Sequence, residues 1–252
     1  LTCQYKRKMK ITCQQDLFPK SQSSVSGLSR EEALHQFQNF NPSRYAKTRN
    51  FLNGQISRMS AHIKHGVIQN QELLKIIRDK FSFLESEKFI QELAWRDFWR
   101  SYAYHHPDQL WVDVEEYKTG LSPNDYLDDL PEDIAHGKTP TQVINYFIQE
   151  LIQTGYLHNH ARMYVAAYVV HFRRVKWQAG AKFFLTHLLD GDIASNNFSW
   201  QWIASTFASK PYIFNLENVH KYCHQTYSLD PQQNQEIDGS YEEISARLFP
   251  SL

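Results

Sequence analysis

Residues 188–202 read LLDGDIASNNFSWQW. From Asp190 to Trp202, thirteen residues hold two acids, two adjacent amides and two tryptophans. A surface loop has no need of the tryptophans, and a dry core has no place for carboxylates without donors. Asp190 and Asp192 read as closing a helix that begins near Trp177. Acids at a helix C-terminus oppose its dipole, so both need cationic or N–H partners. A buried arginine would serve one, and ligand N–H and hydroxyl groups the other.

Outward from this stretch the periodicity is helical almost throughout. Phe89, Ile90, Leu93, Ala94, Phe98 and Trp99 share one apolar face. Val143, Ile144, Phe147, Ile148, Leu151 and Ile152 form a second, opened by Thr139-Pro140-Thr141. Met163, Ala166, Ala167 and Val170 form a third, and Phe183, Phe184, Leu188 and Leu189 a fourth. Ser29 with Glu32 has capping-box spacing. Residues 105–140, rich in Pro and Asp, read as a long connection with short helices, and the YEEISARLFP ending as a short helix docking back. No pair of period-two strands joined by a turn dipeptide occurs. The expectation is an all-α fold: a polar lead-in over residues 1–28 and a single helical domain over 29–252.

Composition narrows the function. Lys and Arg number 27 against 27 Asp and Glu, so the formal charge is zero, and any nucleic-acid contact must rest on a local patch. Arg173, Arg174 and Lys176 are one such cluster, which reads equally as a solvated helix face. Only 9 glycines occur in 252 residues, against a usual share of about 7%, and neither GxGxxG nor GxxxxGK[ST] is present. Nucleotide binding by a glycine-rich cradle is therefore excluded. Three cysteines, Cys3, Cys13 and Cys223, read as free thiols in a reducing compartment such as the cytoplasm. No run of eighteen apolar residues and no secretory leader is seen, so no membrane association is expected.

Four constellations carry chemistry. In FIQELAWRDFW, Glu92 and Arg96 are i,i+4, as are Trp95 and Trp99, which reads either as a surface ion pair or as a polar pair beside a flat aromatic ligand. In TGYLHNHARM, Gly155 ends one helix and His158-Asn159-His160 opens the next, with Arg162 and Met163 one turn inside. Neither that histidine pair nor His220 and His224 has the partners of a metal site, so no metal is expected. Ser57, Arg58 and Ser60 precede a helical pattern and suit a phosphate at a helix start, or a plain serine cap. The fourth is the stretch quoted above.

Taken in order, EL-x-WR-x-F (92–98), TG-x-x-HN-x-x-RM (154–163), W-x-x-G-x-x-x-F (177–184), LLDGD-x-A-x-NN-x-x-WQW-x-AST (188–206) and PY-x-x-FN (211–215) resemble the catalytic FAD-binding domain of DNA photolyases and cryptochromes. The resemblance covers roughly residues 40–215 and implies FAD in a bent conformation. It implies that Ser57, Arg58 and Ser60 hold the phosphates, that Arg162 pairs with Asp190, and that Asp190 and Asp192 contact the flavin and ribityl side. Asn196 would face flavin N5. Trp200 would lie nearest the ring, with Trp177 the second member of an electron relay; the third has no aligned counterpart, Trp111 standing at a different spacing and Ile134 within the usual motif. Glu92, Trp95, Arg96, Asn159, Met163 and Trp202 would line a cavity for a flipped-out pyrimidine dimer. The expected function is light-driven dimer repair in damaged DNA, a carbon–carbon lyase activity. The alternatives are a light or redox sensor acting through a partner, or the flavin half of a split photolyase. No α/β antenna domain is recognised in the sequence, so a separate antenna protein, or none, is expected.

Overall fold

Helix caps account for where most of the elements begin. The computed structural model describes residues 28–251 apart from 225 and 228, so the expected lead-in over residues 1–27, with Cys3 and Cys13, lies outside it. Ser29 accepts the Glu32 N–H at the start of α1 (Arg30–Gln38). Asn41 caps α2 (Pro42–Thr48), whose first residue is a proline with no N–H to lose. Two more helices, α3 (Ser60–Lys64) and α4 (Asn70–Lys80), lead to α5 (Phe83–His105), which a Ser82–Glu85 capping box opens. At 23 residues, α5 runs for about 34 Å.

The short helix α6 (Glu132–Ala135) lies within the long connection. It is followed by α7 (Gln142–Thr154), which Gly155 terminates in the left-handed conformation at φ 68°. Next come α8 (Asn159–Ala167), a π-helical turn over Tyr168–Phe172, α9 (Trp177–His187) and α10 (Ile193–Ala204). The chain then forms α11 (Leu216–Cys223) and α12 (Tyr241–Leu248), the latter with its own Ser240–Glu243 capping box. Among the described residues there is no strand, only an isolated bridge between Leu127 and Val175. No helix among them is long and apolar enough to cross a membrane.

Two large apolar cores and one small cluster form among the described residues. The larger is built on α7 to α11; Val143, Ile144, Phe147, Ile148 and Leu151 of α7 are fully buried in it beside Tyr164, Trp177 and Trp200. The smaller joins α1, α4 and the first half of α5 through Phe37, Phe40, Leu73 and Phe89. The second half of α5 leaves that core for α10, where Trp99 stacks on Phe198 at 5.4 Å. The YEEISARLFP segment docks as expected: Ile244, Leu248 and Phe249 are buried against Phe172 and Ile213.

Buried amides of α10 hold the long connection in place. Asn197 donates to the Leu110 carbonyl at 2.7 Å and Gln201 to the Gln109 carbonyl at 2.7 Å, while Gln201 accepts the Val114 N–H at 3.0 Å. Both amides are fully buried, so each contact satisfies a group that would otherwise be costly to bury.

The quoted stretch corrects one expectation. Helix α9 stops at His187, so Leu188 and Leu189 lie beyond it, and Asp190 and Asp192 do not close it. Asp192 is instead the N-cap of α10, accepting the Ser195 N–H at 3.1 Å, where the helix dipole favours a negative charge. The basic cluster is not a helix face either: Arg173 pairs with Asp133 at 2.7 Å and Lys176 with Asp128 at 2.5 Å.

Glycine at 180 is a packing requirement. A Cβ there would stand 2.2 Å from the Trp200 ring, which is buried and has no room to retreat. Gly180→Ala should therefore lower the unfolding free energy by about 1–3 kcal/mol, whereas helix propensity alone would raise it by about 1 kcal/mol. Urea denaturation followed by circular dichroism gives the sign; a stabilised variant would contradict this packing.

Candidate functional site

An open cavity of about 780 Å³ lies between α5, α8, α10 and the turn after α9. A recess of about 220 Å³, lined by Ile56, Ser57, Arg58, Tyr156 and Leu157 among others, shares Ser60, Asn159, Arg162 and Asp190 with it. Of the residues singled out in the sequence, Glu92, Trp95, Arg96, Asn159, Met163, Arg162, Asp190, Asp192, Asn196, Trp200, Trp202, Ser57 and Ser60 all line the cavity. Arg58 lines only the recess, and Trp177 lines neither, being fully buried at the start of α9.

The floor is ionic. Arg162 Nη2 donates to both oxygens of Asp190, at 3.0 and 2.9 Å, and its Nε donates to the Leu157 carbonyl at 2.8 Å. Asp190 is buried; burial pushes its carboxyl pKa up, but Arg162 and the Ser60 hydroxyl outweigh this and hold it below the ordinary range. Asp192 behaves alike: burial opposes its charge, while the Ser195 N–H, Arg96 and Arg100 favour it and win. Arg100 bonds it at 2.9 Å, Arg96 at 3.4 Å, and Lys64 stands at 4.0 Å. One carboxylate thus faces three cations.

The expected Glu92–Arg96 pair is not formed. Arg96 turns to Asp192, and Glu92 turns the other way to Lys88 at 2.9 Å and Arg49 at 3.2 Å. The buried Asp192 outcompetes a half-exposed partner one turn away, because a desolvated charge has more to gain from pairing. Tyr45 lies against this group, its hydroxyl pushed up to about 12 by burial and then by Glu92.

The recess is strained where it meets the cavity. Arg58 adopts φ 55°, a left-handed conformation costly for a long side chain, and its guanidinium sits 5.1 Å from the Tyr156 ring centroid. Ser57 and Ser60 do not cap α3: its N-cap is Met59, which makes no side-chain cap bond. Both hydroxyls line the cavity instead. His158 rather than Asn159 caps α8, its Nδ1 accepting the His160 N–H at 3.1 Å. Burial, with His160 and two arginines nearby, lowers its pKa to about 4, so it is neutral at pH 7.

The mouth is aromatic. Trp95, Phe98 and Trp202 are 49%, 46% and 42% exposed, a concentration of large rings in water that calls for a flat partner. Trp95 stacks on Trp99 at 5.5 Å and Trp99 on Phe198, so the ring at the rim is backed by a layer reaching into the core.

The profile of the FAD binding domain of DNA photolyase matches residues 89–235, more than half of the chain. The chain belongs to this family. It is similar to a deoxyribodipyrimidine photo-lyase of Streptomyces griseus, 34% identical over 152 residues that cover 60% of this chain and 32% of that one. Its backbone is similar to the archaeal photolyase of Sulfolobus tokodaii, whose structure carries two FAD molecules, with TM-score 0.65, 25% identity and coverage of 88% and 49%. The fold is also that of a Synechocystis cryptochrome, with TM-score 0.71 at 21% identity over 87% of this chain and 47% of the other. The chain spans less than half the length of each of these three proteins.

FAD is the cofactor of this family, and the cavity suits it. Its volume lies within the range of about 300–1,000 Å³ common to ligand sites. Apolar Met163, Ala166, Phe184 and Leu188 offer flat walls for a ring system, and Ser57, Ser60, Arg162, Asp190 and Asp192 offer partners for hydroxyls and phosphates. The lining residues Arg96 and Trp200 each keep a buried N–H with no protein acceptor, at Nε and Nε1. Asn196 donates both amide hydrogens, to the Ala181 carbonyl at 3.1 Å and to Asn197 at 2.9 Å, so only its carbonyl oxygen remains for a ligand.

Several site residues escaped the sequence reading. Arg100 was visible in principle, four residues beyond Arg96 on one helix face. Arg49 and Tyr156, which line the recess, and Lys64, which stands by Asp192, carry no local signal, since only the tertiary fold brings them there.

Removing Arg162 strands a buried acid. Arg162→Met should cost about 3–5 kcal/mol at neutral pH. Because the folded-state pKa of Asp190 is depressed, its contribution is full above the unfolded value of about 3.9 and lost as pH falls through the folded one. In the variant burial is opposed only by the Ser60 hydroxyl and the backbone N–H of Asp190 itself, the folded pKa rises, and acid relieves the penalty. The two stability curves, measured by denaturant titration from pH 7 to pH 3, should converge on acidification; a constant gap would exclude this pair as the cause.

Proposed function

We propose that this chain is the flavin-holding and substrate-holding part of a light-driven repair enzyme for pyrimidine dimers in DNA, working in a reducing compartment, with residues 29–252 as one helical unit. One observation carries the reading. A single cavity joins an ion-paired, hydroxyl-lined floor to a mouth of exposed indoles. The floor suits a flavin nucleotide, and the mouth suits flat bases drawn out of a duplex.

Reduced FAD, excited by light, supplies the electron that opens the dimer. The protein's own residues position both partners. Arg162 and Asp190 hold the ribityl side, and Ser57, Arg58 and Ser60 the phosphates. With its N–H groups already used, Asn196 accepts from a ring N–H and cannot donate to a bare ring nitrogen. Trp200 closes the cavity behind the ring.

On the substrate side, Trp95 and Trp202 stack against the bases and Met163 fills between them. Asn159 and Glu92 meet polar edges; Glu92, paired with Arg49 and Lys88, accepts N–H donors. Three cations around one carboxylate leave Arg96, Arg100 and Lys64 with surplus positive charge beside Asp192, suited to a phosphodiester.

The test is loss of thymine dimers from oligonucleotides under blue light with the flavin fully reduced. Trp95→Ala and Trp202→Ala should each weaken dimer-containing DNA by about 1–3 kcal/mol and leave FAD uptake unchanged. A protein that takes up FAD and repairs nothing would exclude repair and favour sensing through a partner. A protein that takes up no FAD would sink the reading entirely.

A further inference from the structure

Behind the cavity, away from the mouth, lies a second aromatic arrangement that substrate binding does not use. Trp200 packs against Gly180 of α9, and Trp177 stands three residues earlier on that helix, fully buried. The Trp177 indole N–H donates to Asp113 Oδ1 at 2.6 Å, shorter than an ordinary N–H···O bond. Gln178 donates to the same oxygen at 3.2 Å and to the Trp111 carbonyl at 3.3 Å, tying the loop to the helix start. The Trp111 ring lies parallel to that of Trp177, 5° from coplanar orientation, with centroids 6.3 Å apart. Trp111 is only partly buried, and Lys182 Nζ stands 5.7 Å from its ring centroid.

The two neighbouring indoles therefore sit in opposite electrostatic surroundings. Trp177 with Asp113 carries a charge of minus one, and loss of an electron brings the pair to zero. Trp111 with Lys182 carries plus one, and loss of an electron would bring it to plus two. A cation over an aromatic face is attracted by the ring's electrons, so removing one of them costs more. Bringing a buried pair to neutrality costs less than creating a charge there. Solvent access favours Trp111, but the local charges favour Trp177.

We propose that Asp113 makes the buried Trp177, and not the more exposed Trp111, the resting place of an oxidising equivalent that leaves the cavity through Trp200. The proposal rests on the flavin reading above, since its oxidant is a photoexcited, oxidised flavin in the cavity. Trp200 would give one electron to that flavin and take one from Trp177. The Trp177 N–H bond breaks with its electron pair remaining on nitrogen, and the proton forms an O–H bond at Asp113 Oδ1. The products are a neutral indolyl radical and a carboxylic acid, and the partly exposed Asp113 can pass its proton to water. Asp113 is thus a positioning residue, acting through Trp177.

Transient absorption of the FAD-loaded protein after a laser flash tests this, because neutral and cationic indole radicals absorb differently. The wild type should give a long-lived neutral radical, with its lifetime unchanged in Trp111→Phe. Asp113→Asn keeps an amide at the same position without the proton acceptor; the neutral signature should vanish and the charge-separated state decay about tenfold faster or more. Lys182→Gln should make the lifetime newly sensitive to Trp111→Phe. Loss of the long-lived radical in Trp111→Phe alone, or a neutral radical persisting in Asp113→Asn, would overturn the assignment while leaving flavin binding intact. Trp111→Phe leaves the Asp113 bond in place, so the test survives if Asp113→Asn fails to fold. A wild type that takes up no FAD overturns the flavin reading, and this assignment with it.

Discussion

The Arg162–Asp190 ion pair is the constraint on which the cavity depends. It joins α8 to the turn between α9 and α10, and so fixes where the polypeptide reverses behind the site. Two residues on, Asp192 caps α10 and gathers Arg96 and Arg100 from α5. Three helices are thereby registered by two carboxylates in three residues of chain. A buried pair of this kind adds little stability over an apolar equivalent. Its use here is to hold charge and hydrogen-bond capacity in fixed positions, which an apolar floor would not do.

The back of the cavity is rigid for a different reason. Asn197 and Gln201 point away from the site and hold the connection after α5 by its backbone. On the same helix, Trp200 is seated against Gly180 with no free space between them. One helix thus serves three surroundings: Asn196 and Trp200 face the cavity, Asn197 and Gln201 the connection, and Phe198 the aromatic layer with Trp99. That is why α10 is mostly buried yet carries two fully buried amides, and why the quoted stretch fits neither a loop nor an apolar core.

What was legible in the sequence follows from the range of each interaction. Helical periodicity and serine caps are local, and the faces of α5 and α7 and the docking of α12 were read from them. Helix ends were harder: Leu188 and Leu189 continue the apolar pattern of α9, although the helix has already stopped. The i,i+4 rule brought Glu92 and Arg96 together, but it is worth only a few tenths of a kcal/mol. A buried carboxylate 96 residues away overrode it. The Arg162–Asp190 pair, 28 residues apart, was legible only through the motifs' joint resemblance to a family. Nothing local marks Arg49, Lys64 or Asp113, because their roles arise from contacts made after folding.

Charge shows the same difference between the whole chain and the site. A formal net charge of zero argues against a nucleic-acid partner only if charges are evenly spread. They are not. The basic run at 173–176 is largely consumed, with Arg173 and Lys176 held by Asp133 and Asp128. Around Asp192 the balance is reversed, because Arg96, Arg100 and Lys64 converge on that one carboxylate. On the function proposed above, these cations would draw the phosphates that flank an extruded base while the exposed indoles take the base itself. Phosphate attraction orients a strand without reading it, and stacking then selects a base already out of the helix. A uniformly basic surface would hold undamaged duplex as firmly, whereas charge gathered on one carboxylate of an aromatic cavity would couple attraction to insertion.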